Sequence, residues 1–270
     1  MKKLLKFSVI FLLIGLALTG CYKEPIIENP NVEKTFNYDP NSMDWELAKR
    51  CALYSVLAYP ESRIMKNGSN QPSKAEFNDL LSHYTTKDIQ YYYDGKDNFV
   101  DDKNLPVVLQ AHLKWEGFKE IDSKNYGNSI VDDISYTLAY KEVNDGEILL
   151  VVILRGTDGV EWFGNMDIWG EDGSKKGDRH FSFENANKEL QNDIKKYISA
   201  NDDLKNKPIN LLITGHSRGA AVANLFAVDT NTKTWCSEIN IKNVYAYTFA
   251  TPNNTKGKTE YNNIFNFCFE

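Results

Sequence analysis

The chain has 270 residues, 42% of them apolar and 13% aromatic, with 31 basic residues against 37 acidic ones and a formal charge of −6. That length and apolar content suit one large domain with a buried core, not a disordered chain. The acidic balance argues against a nucleic-acid partner, whose phosphates need a basic surface, and against electrostatic attraction to anionic lipid.

Lys2, Lys3 and Lys6 precede an apolar stretch, Phe7 to Leu18, that is short for a permanent membrane helix and reads as a secretory signal over residues 1–20. Its end, Leu18-Thr19-Gly20-Cys21, resembles the lipobox of bacterial lipoproteins, which implies cleavage before Cys21, lipidation of that cysteine and an extracytoplasmic protein anchored to the cell envelope. Residues 21–40 are polar, carry Pro25, Pro30 and Pro40, and read as a flexible tether to a domain over residues 41–270. Asn41 is read as a helix cap with Asp44 in the first turn, and Trp45, Ala48, Ala52, Val56 and Tyr59 recur at helical spacing before Pro60. Further helices are expected over Ser73 to Tyr84 and Leu105 to Trp115, the latter with Gly117 just past its end.

The period then changes. Tyr136 to Val143 is rich in β-formers, Asn144-Asp145-Gly146 is a turn signal, and Glu147 to Leu154 is a nearly unbroken apolar run, so a hairpin leads into a buried central strand. Phe183 to Ala200 reads as an amphipathic helix, Ile209 to Thr214 as a short buried strand, Ser217 to Val228 as an Ala-rich helix and Val244 to Phe249 as another strand. Strands alternating with helices predict an α/β domain with a mostly parallel sheet covered by helices.

Gly215-His216-Ser217-Arg218-Gly219 lies between the strand Leu211-Leu212-Ile213-Thr214 and the helix that follows. Gly-x-Ser-x-Gly in a strand-turn-helix setting is the arrangement of a nucleophilic serine on a tight turn, where flanking glycines remove side chains that would collide. The competing reading is a serine that only caps its helix. Cys51 reads as a small core residue, a Cys236–Cys268 bridge stays open, and His83, His112, His180 and His216 are too scattered for a zinc site, so no metal or other cofactor is expected. A phosphate-binding role is set aside for want of a Gly-rich loop ending in Lys-Ser or Lys-Thr.

Four segments, taken together, resemble the class 3 lipase family of α/β-hydrolases, which includes the fungal triacylglycerol lipases. They are Ile153-Leu154-Arg155-Gly156-Thr157, Glu161-Trp162 with Asn165-Met166-Asp167, the Gly215 to Ala221 run, and Tyr247-Thr248-Phe249-Ala250-Thr251-Pro252. The resemblance implies an α/β-hydrolase fold and a carboxylic ester hydrolase acting on acylglycerols or related esters. It implies Ser217 as nucleophile, Gly215 and Gly219 as the turn glycines, and Thr157 and the Arg218 backbone N–H as oxyanion-hole donors. It also suggests a lid over Asp158 to Trp169, for which core packing is an equal explanation, and makes His180 and His216 structural.

The family's order further implies an acid and then a histidine after the serine. No histidine follows Ser217, Asp229 and Glu238 do not match the acid's position, and Tyr261 to Phe267 resembles the strand that leads to it. The C-terminal part is therefore expected to be incomplete, through an unfinished reading frame, a truncated paralogue or a deliberate shortening, the last disfavoured by the intact signal. Such a chain is expected to turn over esters weakly, which leaves as the alternative a non-catalytic surface lipoprotein that keeps the scaffold for binding. Acyl-chain preference and oligomeric state are not fixed by the sequence.

Overall fold

The computed structural model describes residues 33–59, 106–126, 134–156, 179–255 and 261–267. The expected signal and Cys21, residues 21–32 of the tether, the helix expected over Ser73 to Tyr84, Thr157 with the segment to Trp169, and Cys268 lie outside the described residues.

In chain order the elements are α1 (Trp45–Leu57), α2 (Val107–Trp115), β1 (Lys119–Lys124), β2 (Tyr136–Val143), β3 (Glu147–Leu154), α3 (Phe181–Ala200), α4 (Asp202–Asn206), β4 (Ile209–His216), α5 (Arg218–Asn231), β5 (Ile241–Phe249) and β6 (Ile264–Phe267). The strands form one sheet in sequence order, β1-β2-β3-β4-β5-β6. The first two pairings are antiparallel and the next three parallel. This is the expected α/β class, a mixed and mostly parallel sheet, and it follows from chain length. The three-residue turn after Val143 can only reverse the chain, whereas each later parallel step in this sheet needs a longer crossover.

The pleat sorts side chains onto two faces. Ile148, Leu150, Val152 and Leu154 of β3 join Leu211 and Ile213 of β4 under α3 and α5. Leu149, Val151 and Ile153 join Leu212, Tyr245 and Tyr247 under α1 and α2. Burial on both faces explains why β3 is apolar almost throughout. Ala220, Ala221, Ala223 and Ala227 are fully buried and let α5 lie close on β4 and β5.

Several boundaries differ from the expectation. Asp44, not Asn41, caps α1: its Oδ1 accepts from Leu47 N at 2.9 Å, while the Asn41 N–H is taken by Asp39 Oδ1. The apolar row also lies elsewhere on that helix, since Trp45 is 62% and Val56 45% exposed while Leu47, Ala48, Cys51, Tyr54 and Leu57 face the sheet. The period was legible, but two interleaved apolar rows gave no means of choosing the buried one. The end of α2 does follow its glycine: Gly117 has φ +84°, with Phe118 N donating to Leu113 O and Gly117 N to Lys114 O, a Schellman closure. Strand β1 was not expected, because Lys119–Lys124 is half-exposed and polar and is held by pairing with β2. Short helix α4 was also missed, and α3 begins two residues earlier than expected.

Candidate functional site

The parallel strands bring their C-terminal ends to one edge of the sheet. Register places Leu154 beside Gly215 and Gly215 beside Thr248, with His216, Phe249 and Phe267 level one step further on. Chain leaving β3, β4, β5 or β6 therefore emerges there. In open α/β sheets this edge is where ligands bind.

Between β4 and α5 the chain reverses on Ser217, whose φ of +57° and ψ of −126° lie in a region that non-glycine residues rarely adopt. Such a conformation costs on the order of 1–3 kcal/mol and persists only where surroundings fix it. Here Ser217 N donates to Phe249 O at 2.9 Å and Ser217 O accepts from Ala221 N at 3.1 Å. The glycines explain how so tight a turn closes. A Cβ on Gly215 would lie 2.8 Å from the backbone of Gly219, and one on Gly219 would lie 2.6 Å from Leu154 O. The Ser217 hydroxyl makes no capping bond to α5, so the competing reading of a helix-cap serine does not describe this residue. It sits instead at the start of a 14-residue helix, whose N-terminal dipole favours negative charge nearby.

The two oxyanion donors inferred from the sequence differ in what can be said of them. Arg218 is the first residue of α5, immediately after the strained serine. Thr157 is outside the described residues, but Gly156 before it is in contact with the turn: a Cβ there would meet Tyr59 Oη, His216 O at 2.7 Å and Ser217 Cβ at 3.1 Å. The strand end that leads to Thr157 thus lies directly against the serine.

His216 is held within the turn, with Nδ1 2.8 Å from Tyr59 Oη and the two rings edge to face. Burial lowers its pKa below the ordinary 6.5. His180 precedes α3 as its N-cap residue; its N–H donates to Asn254 O, its ring packs on Phe183 at 4.4 Å and its Nδ1 is 3.1 Å from Ser182 Oγ. Burial first, and then the charge of Arg218, lower the pKa of His180. His112 is buried on α2 with Nε2 3.4 Å from Glu116 Oε1; burial alone would raise the Glu116 carboxyl, but the neighbouring His112, the Arg50 charge and a Tyr54 hydrogen bond hold it down at about 2.

Asp229 is fully engaged elsewhere. It accepts both guanidinium nitrogens of Arg179, at 3.0 and 2.6 Å, and the side-chain amides of Asn187 and Gln191, each at 2.8 Å. Glu238 is exposed in the turn after α5. Neither is placed as an acid for Ser217, in line with the sequence reading. Cys51 is buried against Thr214, and Cys236 donates its thiol to Thr230 O. Among the described residues no group of three or more His, Cys, Asp or Glu side chains could hold a metal ion. Among them, too, no helix is long and apolar enough to cross a membrane.

Tyr59 was the residue that sequence reading missed. It was counted as one more apolar position on α1, yet it lies past the helix end and its hydroxyl reaches the turn. No local pattern marks such a residue, because its partners are about 100 and 157 positions away.

Residues 151–267 match the family model for Lipase (class 3). Among solved structures, the chain is similar to a fungal lipase–inhibitor complex described as a model for interfacial activation in lipases, at 18% identity over 67% of this chain and 64% of that one, with a TM-score of 0.39. It is similar to the Rhizomucor miehei lipase propeptide complex at 14% identity, over 82% of this chain and 58% of that one, with a TM-score of 0.44. It is similar as well to the lipase from Rhizopus microsporus var. chinensis at 14% identity, over 83% and 65% of the two chains, with a TM-score of 0.41. The chain spans less than two thirds of the length of each of these lipases. No curated protein matches it.

Proposed function

We propose that this protein is a carboxylic ester hydrolase of the lipase type, with Ser217 as its nucleophile and acylglycerols or related esters as substrates. The observation that carries the reading is the backbone of Ser217: a non-glycine residue held at φ +57° and ψ −126° between β4 and α5, at the C-terminal edge of the sheet. Strained backbones of this kind cluster at functional sites, and a nucleophile on a strand-to-helix turn uses one to stand clear of the strand ends. The match of residues 151–267 to the class 3 lipase family supports the same reading.

In the proposed reaction Ser217 Oγ attacks the ester carbonyl carbon and loses its proton to a general base. The carbonyl oxygen takes up negative charge, and the alcohol leaves with a proton to give an acyl-enzyme that water then hydrolyses. The Arg218 N–H, at the start of α5, and Thr157 receive the developing charge. In other hydrolases one such donor contributes about 3–4 kcal/mol to the barrier reduction. Cys21 is proposed as a lipidated anchor that tethers the domain to the cell envelope, outside the cytoplasm.

The test is hydrolysis of p-nitrophenyl butyrate by the protein and by Ser217→Ala. Turnover above the buffer rate that the substitution removes supports the proposal. Turnover that Ser217→Ala leaves undiminished, or none in the parent protein, overturns it and favours a binding scaffold. Binding and an oxyanion hole alone keep about three to four powers of ten over water when any triad member is removed, the serine included, so the reading rests on the part of the turnover that the substitution takes away.

A further inference from the structure

Three chain segments, remote in sequence, meet at one hydroxyl. Tyr59 Oη lies 2.8 Å from Nδ1 of His216, the residue before the serine. Gly156 lies against the same oxygen, so close that a Cβ there would strike it. Burial pushes the Tyr59 phenol up to about 12, against the charge of Arg155, so the hydroxyl keeps its proton. Burial also lowers the pKa of His216, and the direction of the Tyr59–His216 bond follows the imidazole tautomer. Tyr59 Oη thus touches both the turn and the end of the chain leaving β3.

We propose that Tyr59 is a positioning residue that clamps Gly156, the end of the described chain leaving β3, against the Ser217 turn. The inference rests on the reading of Ser217 as a nucleophile and concerns what holds its surroundings. The need is geometric. The turn is the end of β4–α5, while Gly156 follows β3, and the hydrogen bonds of the β3–β4 ladder end at Leu154 and Gly215. Beyond that point Arg155 N turns to Ser135 O and Ser217 N to Phe249 O, each 2.9 Å away, so these two backbone bonds tie the chains to other neighbours, and the Tyr59 hydroxyl touches both. An error of about 1 Å in such a spacing can cost a hundredfold in rate.

The experiment compares the full chain with Tyr59→Phe, which keeps the ring and removes the hydroxyl, and with His216→Asn, whose side-chain amide can replace Nδ1 as the partner of Tyr59 in either direction. Amide hydrogen exchange and p-nitrophenyl butyrate kinetics are read on each. The proposal predicts exchange at Gly156 and His216 at least tenfold faster in Tyr59→Phe, with β3 and β4 unchanged and His216→Asn near the parent. It also predicts a kcat about ten- to a hundredfold lower in Tyr59→Phe with KM within twofold. Unchanged exchange at Gly156, acceleration spread over the whole sheet, or an unchanged kcat each overturns it. If the parent protein hydrolyses no ester, the nucleophile reading falls, and the exchange result alone decides the clamp.

Discussion

The two ends of the same sheet are built on opposite principles. At the N-terminal end of β3, polar side chains are paired across neighbouring strands. Glu147 accepts from Lys242 and from Asn210 at 2.8 Å, Asn243 donates to Asn210 at 2.8 Å, and Asn144 bonds both the N–H and the carbonyl of Phe36. In the β2–β3 turn at this end the positive φ values fall on Asn144, Asp145 and Gly146, residue types that tolerate them. At the C-terminal end the positive φ falls on Ser217 and Ala250, backbones approach within van der Waals limits, and two histidines sit with lowered pKa values. A serine backbone held at a rarely adopted φ at one end and a turn of permissive residues at the other set the two ends apart.

The strongest way to break this contrast is to put a methyl group into the strained end. Gly219→Ala would place a Cβ against the backbone oxygens of Leu154 and Arg155, at 2.6 and 2.8 Å, where no flexible side chain can give way. The expected loss is on the order of 3 kcal/mol or more, read from urea unfolding. Asp229→Asn sharpens it from the helical layer. The charge that holds Arg179 disappears, and stability should fall by about 2–3 kcal/mol while ester turnover per folded molecule stays unchanged. A loss of turnover beyond the loss of folded protein would instead make Asp229 part of the reaction.

At the scaffold end, Asn144→Ala removes both bonds to Phe36 and should cost about 1–2 kcal/mol, again without effect on turnover. Relief of strain should act in the other direction. Ser217→Gly is expected to raise the unfolding free energy by about 1 kcal/mol and to abolish turnover together, since glycine adopts this backbone freely.

The smallest effect is in pH. His180 and His216 are held below 6.5 in the folded chain, so the unfolded chain binds protons first. Their contribution is complete above about pH 6.5 and is lost as pH falls through the folded values. The thermal midpoint should decline from pH 7 to pH 5, less steeply in His216→Asn. The carboxyl of Glu116, held at about 2 against an ordinary 4.5, acts in a lower window: its contribution is present above about pH 4.5 and is lost toward pH 2.

What could be read in the sequence follows the range of the interactions involved. The hairpin, the buried run of β3, the Gly117 stop and the Ser217 turn are encoded by neighbours and were legible. So were the two glycines, because a tight turn demands them at fixed offsets. The buried face of α1 was not, since Trp45 and Leu47 are both apolar and only the sheet decides between them. β1 exists because β2 offers it a partner, and a polar strand such as Lys119–Lys124 leaves no apolar alternation to find. Tyr59 lies furthest beyond reach, being defined by Gly156 after β3 and His216 of β4 and not by its neighbours in sequence.

The most direct test of the central claim is covalent. Diethyl p-nitrophenyl phosphate should react with the folded protein by attack of Ser217 Oγ on phosphorus and release of p-nitrophenolate, leaving a diethylphosphoryl group that peptide mass mapping assigns to Ser217. A single adduct on Ser217, absent from Ser217→Ala, is the predicted result. An adduct on another residue, or ester turnover that continues with Ser217 unlabelled, would contradict it.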